Sequence, residues 1–201
     1  MSFTTRMQFF STSPRLSSCF AVLRQLHSIR RSVSPTVLQS LVLSLVLSLL
    51  DYGNATLAGL PGNQLDRLQS VINAAARLVC SARKYEHITP LLRDLHWLPV
   101  CERIGFKLAV LLFRCLHGTA PPYLANELCR MADIDARRRL RSASTSALVT
   151  PSSRRSTIGD RAFFVAAPRV WNSLPSSVTA SQTLGTFRRR LKTHLFAVSL
   201  T

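Results

Sequence analysis

Ser34 and Pro35 open an apolar run, TVLQSLVLSLVLSLL, which Asp51, Tyr52 and Gly53 close. Serine supplies an N-cap oxygen, and proline suits the first helical position, where its missing N–H costs nothing. The run therefore reads as a helix. From Pro35 to Leu50 it covers roughly 16 residues, or about 24 Å at 1.5 Å per residue, whereas a span of the hydrocarbon core takes about 20. Ser40, Ser44 and Ser48 also recur at every fourth position along it. Shortness and a polar stripe together predict a central core helix and no membrane span.

Other helices follow by the same logic. After a Gly/Pro turn, Asn63 is placed to cap a second helix, with Leu65, Leu68, Ile72, Ala75 and Val79 on one face and Asp66, Ser70, Asn73 and Arg77 on the other. Ala74 to Ala76 permit close approach of another helix. Thr89-Pro90 opens a short helix through Leu95, and Trp97-Leu98-Pro99 turns the chain into the next. There Val100, Ile104, Leu108, Leu111 and Cys115 form the buried side, and Gly118 is placed as a C-cap before Pro121. Strand-type alternation is missing. The expected fold is all-α: a small helical bundle, then a basic linker, then a C-terminal amphipathic helix.

Charge divides the chain further. Lys and Arg number 26 against 9 Asp and Glu, for a net +17 and a pI near 11.5. A polyanion is the natural partner of such a chain. Only Lys84, Lys107 and Lys192 are lysines, so the charge is mostly guanidinium, which forks onto phosphate and stacks on bases. A GC-rich coding sequence is the alternative origin of so much arginine. From Arg137 onward, twelve Arg and Lys stand against Asp160 alone, giving +11 and leaving +6 for the first 136 residues. The Ser/Thr/Arg-rich span from Arg137 to Thr157 has too few large apolar groups to offset the entropy of ordering. The expected organisation is a disordered N-terminus over 1–18, a helical bundle over 19–130, a flexible basic linker over 131–158, and a Phe/Trp cluster with a basic helix over 159–201. In the last piece Ser181 is the expected cap, Leu184, Phe187, Leu191 and Leu195 the apolar stripe, and Arg188, Arg189, Arg190 and Lys192 its flanks. Such a helix can dock on a protein, lie on an anionic bilayer, follow a phosphate backbone, or pack on the Phe/Trp cluster with its arginines solvated.

Three strings stand in fixed order: LDYGNATLAGLPGNQLDRLQ (Leu50 to Gln69), HITPLLRDLHWLPVCERIGFK (His87 to Lys107) and GDRAFFVAAPRVWNSLPSSV (Gly159 to Val178). Together they resemble the thumb and post-palm region of reverse transcriptases from jockey-like, long interspersed non-LTR retrotransposons. CFAVLRQLHSIRRSVSPTVLQSLV (Cys19 to Val42) is similar to the thumb of the same enzymes, with Leu23, Leu26 and Ile29 at helical spacing. The resemblance implies a truncated fragment of an RNA-directed DNA polymerase, in a region that grips template RNA and target DNA while the palm polymerises. A separate palm-containing polypeptide is then a further possible partner.

The chemistry of polymerisation takes paired carboxylates that hold two metal ions. The family's aromatic-x-Asp-Asp signature does not occur here, and the nearest aspartates, Asp133 and Asp135, sit beside Arg137 to Arg139, where they serve local charge balance. Cys19, Cys80, Cys101, Cys115 and Cys129 make no C-x-x-C pair, and their apolar settings suggest buried free thiols in a reducing compartment. Cys115 and His117, two apart, point to different faces of a helix. A Gly-rich phosphate loop is not recognisable, and neither is either type of retrotransposon endonuclease site. Trp97 and Trp171 read as core anchors rather than base platforms. No catalytic residue, metal or cofactor is expected. The expected activity is non-specific binding of an RNA or DNA phosphate backbone by Arg30, Arg31, Arg137, Arg138, Arg139, Arg141, Arg154, Arg155, Arg188, Arg189, Arg190 and Lys192. Two other readings stay open: an inert translated remnant, and a mitochondrial protein whose Arg/Ser-rich, acid-free N-terminus is a presequence. The first reading places the chain inside the cell, in nucleus or cytoplasm.

Overall fold

A computed structural model describes residues 12–52, 54–126, 128, 147–152 and 159–199. Among these the fold is all-α. The chain divides into two compact units, Met1–Gly53 with Pro61–Val100, and Asn54–Leu60 with Cys101–Thr201.

The first unit contains α1 (Thr12–Ile29), α2 (Pro35–Val42), α3 (Ser48–Asp51), α4 (Gly62–Val79) and α5 (Ile88–Asp94). Ser34 caps α2 as its chemistry demands, its Oγ accepting from the Val37 amide at 3.4 Å with Pro35 at the first position. Between α2 and α3 the helix widens into a π turn, Leu43–Leu47, in which the Ser48 amide reaches back to the Leu43 carbonyl. The cause is visible in the sequence. Leu38, Val42, Val46 and Leu50 are the buried row, and a repeat of four drifts by about 40° per step on a helix of 3.6 residues per turn. A wider turn takes up the drift and keeps the row on one line. Ser40 and Ser44 bond back to the carbonyls of Thr36 and Leu41, and Ser48 to that of Ser44, a habit of serine that bends helices.

Helix α1 packs chiefly on α4. Leu16, Cys19, Leu23 and Leu26 are buried on α1, and on α4 Val71, Ile72, Ala75 and Ala76 are buried, a set of small and branched side chains. Residues 12–18, expected to be disordered, are helical, because Leu16 and Cys19 continue the apolar row upstream of Leu23. Ile29, expected on that row, is 41% exposed at the helix end. Helix α4 starts at Gly62, with Pro61 in the capping position and no side-chain cap, so Asn63 sits inside the first turn. Three helices end in the same way. The Ala82, Trp97 and Thr119 amides bond to the Arg77, Leu92 and Arg114 carbonyls at 3.0, 2.8 and 2.9 Å, with Ser81, His96 and Gly118 at φ of 52°, 54° and 65°. Glycine takes that conformation freely; serine and histidine do not.

The second unit contains α6 (Val100–Leu116), α7 (Pro122–Ala125), α8 (Phe163–Asn172), α9 (Ser176–Thr179) and α10 (Leu184–Ser199). Its core is a run of rings. Phe113 of α6 stacks on Phe187 of α10 at 4.4 Å, and Phe187 lies 5.7 Å from Trp171 of α8. The expected boundary near residue 130 is therefore displaced: α6 groups with the C-terminal elements because its buried face carries Phe113 toward those rings. Gly59, at φ 69°, has its carbonyl bonded by Arg161 Nε at 3.3 Å, and a Cβ there would lie 3.2 Å from the Arg161 side chain.

Within the expected linker, Leu148 is buried. Its amide donates to Asn172 Oδ1 and its carbonyl accepts from Asn172 Nδ2, each at 2.9 Å, so one side-chain amide satisfies both backbone groups as a neighbouring strand would. Leu148 is thus held at both backbone groups, in a span expected to be a flexible linker over 131–158.

Candidate nucleic-acid interface

Helix α10 presents its cations on a fixed frame. Phe187 and Leu191 are fully buried, while Arg188, Arg189, Arg190 and Lys192 are exposed. The helix starts after Thr183, whose Oγ1 accepts from the Thr186 amide at 3.3 Å. Ser181, the expected cap, is instead buried and donates to the Val178 carbonyl at 2.8 Å. The 100° turn per residue puts Arg188, Lys192 and Arg189 on one continuous flank of the buried stripe, with Arg190 on the other side. There Arg190 donates to the Ser177 carbonyl at 2.9 Å. The Lys192 ammonium lies 5.8 Å from the centre of the Phe196 ring, within cation–π reach. Asp160, the sole acid from Arg137 onward, is paired with Arg169 at 2.9 Å.

Two of the other expected cations fall in the first unit. Arg30 is half-buried and Arg31 exposed in the turn that follows α1. Arg137, Arg138, Arg139, Arg141, Arg154 and Arg155 lie outside the described residues, as do Asp133, Asp135 and Cys129. Four arginine and lysine positions are thus gathered on one helix, and Arg30 and Arg31 belong to a different unit.

A feature not anticipated from sequence lies between α1 and α4. A groove of about 590 Å³ is lined by Ser17, Phe20, Leu23, Arg24, His27, Ala74 and Leu78. The signal for it was present as Phe20, Arg24 and His27 at i, i+4 and i+7, one face of a helix.

The thiols are buried to different degrees. Cys19 and Cys115 are buried, Cys80 is half-buried and Cys101 is exposed, so the expectation of buried thiols fails at Cys101. Burial pushes the Cys19 and Cys115 thiols up from their ordinary range, and at Cys115 the Arg114 charge offsets part of this. Cys80 is raised by burial and then by the Asp94 and Glu86 carboxylates. His117 turns outward from buried Cys115 and stacks on Phe113 at 3.8 Å. Both tryptophans are buried, and their faces serve the cores. Among the described residues no three His, Cys, Asp or Glu side chains converge on a common point, and no helix is long and apolar enough to cross a membrane.

No protein-family model, curated protein or solved structure matches this chain.

Proposed function

We propose that this chain is a fragment related to the thumb and post-palm region of a non-LTR retrotransposon reverse transcriptase, and that it binds RNA or DNA non-specifically without polymerising. The observation that carries the binding reading is the division of α10 into an apolar stripe, with Phe187 and Leu191 fully buried and Leu184 and Leu195 half-buried, and an exposed cationic flank. A bilayer-bound helix needs its apolar face for the acyl chains. Here Phe187 is stacked between Phe113 and Trp171, which leaves Arg188, Arg189 and Lys192 to meet a partner. Guanidinium groups on a rigid helix favour phosphate, because the ordering of the backbone that bears them is already complete before contact.

Binding to a labelled single-stranded RNA is expected to fall steeply between about 50 and 200 mM salt, as counterion release requires. Replacing Arg188, Arg189 and Lys192 by glutamine lowers the slope of log K against log salt by about 2, at about 0.7 per lost phosphate contact on a single strand. A binding curve indifferent to salt, or an unchanged slope in the triple variant, removes α10 as the grip. Primer extension assays with magnesium or manganese are expected to yield no product, and any incorporated nucleotide overturns the non-enzymatic reading.

A further inference from the structure

We propose that the groove between α1 and α4 is a second nucleic-acid site, which receives one unpaired nucleotide of a single strand with its base against Phe20 and its phosphate at Arg24 and His27. This rests on the reading that the chain binds nucleic acid, and it assigns the first unit a part in binding that differs in kind from that of α10.

The groove has the composition of a base slot. Its floor is buried Leu23 and Leu78 with half-buried Ala74 between neighbouring turns of α4. Phe20 stands at its wall with 37% of its surface exposed, a cost in water that a stacked base would relieve. Arg24 and His27, one and two turns further along the same face of α1, are exposed at the rim. No acid occurs anywhere before Asp51, so neither α1 nor α2 carries a carboxylate to neutralise them. The occupant is therefore flat, apolar and anionic at once. At about 590 Å³ the groove also lies inside the range of about 300 to 1,000 Å³ that small-molecule sites occupy. Arg30 and Arg31 follow directly on α1 and extend the positive charge for the next phosphate.

An unpaired nucleotide fits this better than a duplex, whose base faces are covered by their neighbours and which offers mainly phosphates to such a surface. It also fits better than an acidic protein helix. A helix in a groove sets anchors over two or more turns, at i, i+3, i+4 and i+7, and needs a long apolar trench. Three aliphatic side chains form only a short floor.

The test uses the full chain and labelled oligonucleotides of ten uridines, ten thymidines and a closed duplex of equal charge, followed by anisotropy at low salt. Phe20→Leu is expected to weaken both single strands about tenfold, in line with the stacking lost per base, and to leave duplex binding and the salt slope unaltered. Phe20→Tyr, which keeps a ring, retains wild-type affinity and shows that the loss is not one of folding. Arg24→Gln lowers the single-strand slope by about 0.7. If Phe20→Leu and Arg24→Gln bind like wild type while the α10 triple variant does not, the groove is no site and the broader reading survives; a groove built for an acidic protein helix gives this result. Equal weakening of duplex and single strand by Phe20→Leu also overturns the base slot. Failure of the wild-type chain to bind any oligonucleotide overturns both readings.

Discussion

The two units solve the same packing problem with different side chains. In the first, Cys19, Val42, Val46, Val71, Ile72, Ala75 and Ala76 fill the core almost without rings, Trp97 being the exception. In the second, Phe113, Trp171 and Phe187 are stacked in series. Small side chains let α1 lie close on α4, and stability there is spread over many modest contacts. Rings concentrate it in a few large ones, each burying about 150 to 250 Å². The first strategy tolerates deletion and resists insertion; the second does the reverse.

The largest effect expected from that contrast is at Phe187, which is fully buried between two other rings. Phe187→Ala is expected to cost about 3 to 5 kcal/mol. In the first unit the sensitive change is the opposite one: Ala75→Leu forces a larger side chain into the α1–α4 contact and costs about 1 to 3 kcal/mol. Each unit holds one tryptophan, Trp97 or Trp171, so single-tryptophan variants in a urea titration report on them separately. Phe187→Ala should move the Trp171 transition further than the Trp97 transition, and Ala75→Leu the reverse. Coincident shifts would dissolve the comparison, since the two cores would then unfold as one.

A smaller gain is expected at the end of α4. Ser81 holds φ at 52°, and Ser81→Gly relieves a left-handed serine, raising stability by up to about 1 kcal/mol, read from the urea midpoint by Trp97. Gly118, already glycine at φ 65°, makes the converse control: Gly118→Ser lowers stability by a similar amount in the other unit.

The smallest effect is one of pH. The folded chain holds the Cys19 and Cys115 protons more tightly than the ordinary thiol, whose value is about 9. Unfolding therefore releases protons above that pH, and stability is fully present below it and declines as the pH climbs further. Comparing urea midpoints at about pH 8 and pH 10 for wild type and for each Cys→Ala variant isolates the two contributions. The loss should be weaker at Cys115, where Arg114 favours the thiolate, and a loss independent of Cys19, Cys80 and Cys115 would remove these thiols as its cause. At neutral pH, Cys101 is expected to react first with iodoacetamide among the four described cysteines, because it is exposed.

Much of the fold could be read from the residues because local chemistry and burial agree there. Ser34-Pro35 opens a helix both by capping and by the apolar run behind it, and Gly118 closes one both by conformation and by the prolines that follow. Reading failed where tertiary contacts decide. Pro168 lies inside α8, a position that costs an isolated helix about 3 kcal/mol, yet Val165, Ala166, Ala167 and Trp171 around it are buried and hold the turn. Leu148 lies in a stretch with few large apolar groups, and only the distant Asn172 gives its backbone partners. Ser181 is the expected cap of α10, but it is buried and the cap is Thr183. For the candidate sites, the α10 cations could be read from their periodicity. For the groove, the sequence shows Phe20, Arg24 and His27 on one face of α1, but only the packing of α4 brings Ala74 and Leu78 beside them as its lining.

The wide turn at Leu43–Leu47 gives the central helix a spare residue. Removing one amino acid there would let the segment relax to ordinary α geometry, and because the wide turn already absorbs that residue, the chain downstream would keep its phase. Leu50 would then keep its seat. Length in that segment is thus buffered in one direction: losing one leucine is absorbed, whereas losing a second turns the chain by about 100° before it arrives at Tyr52.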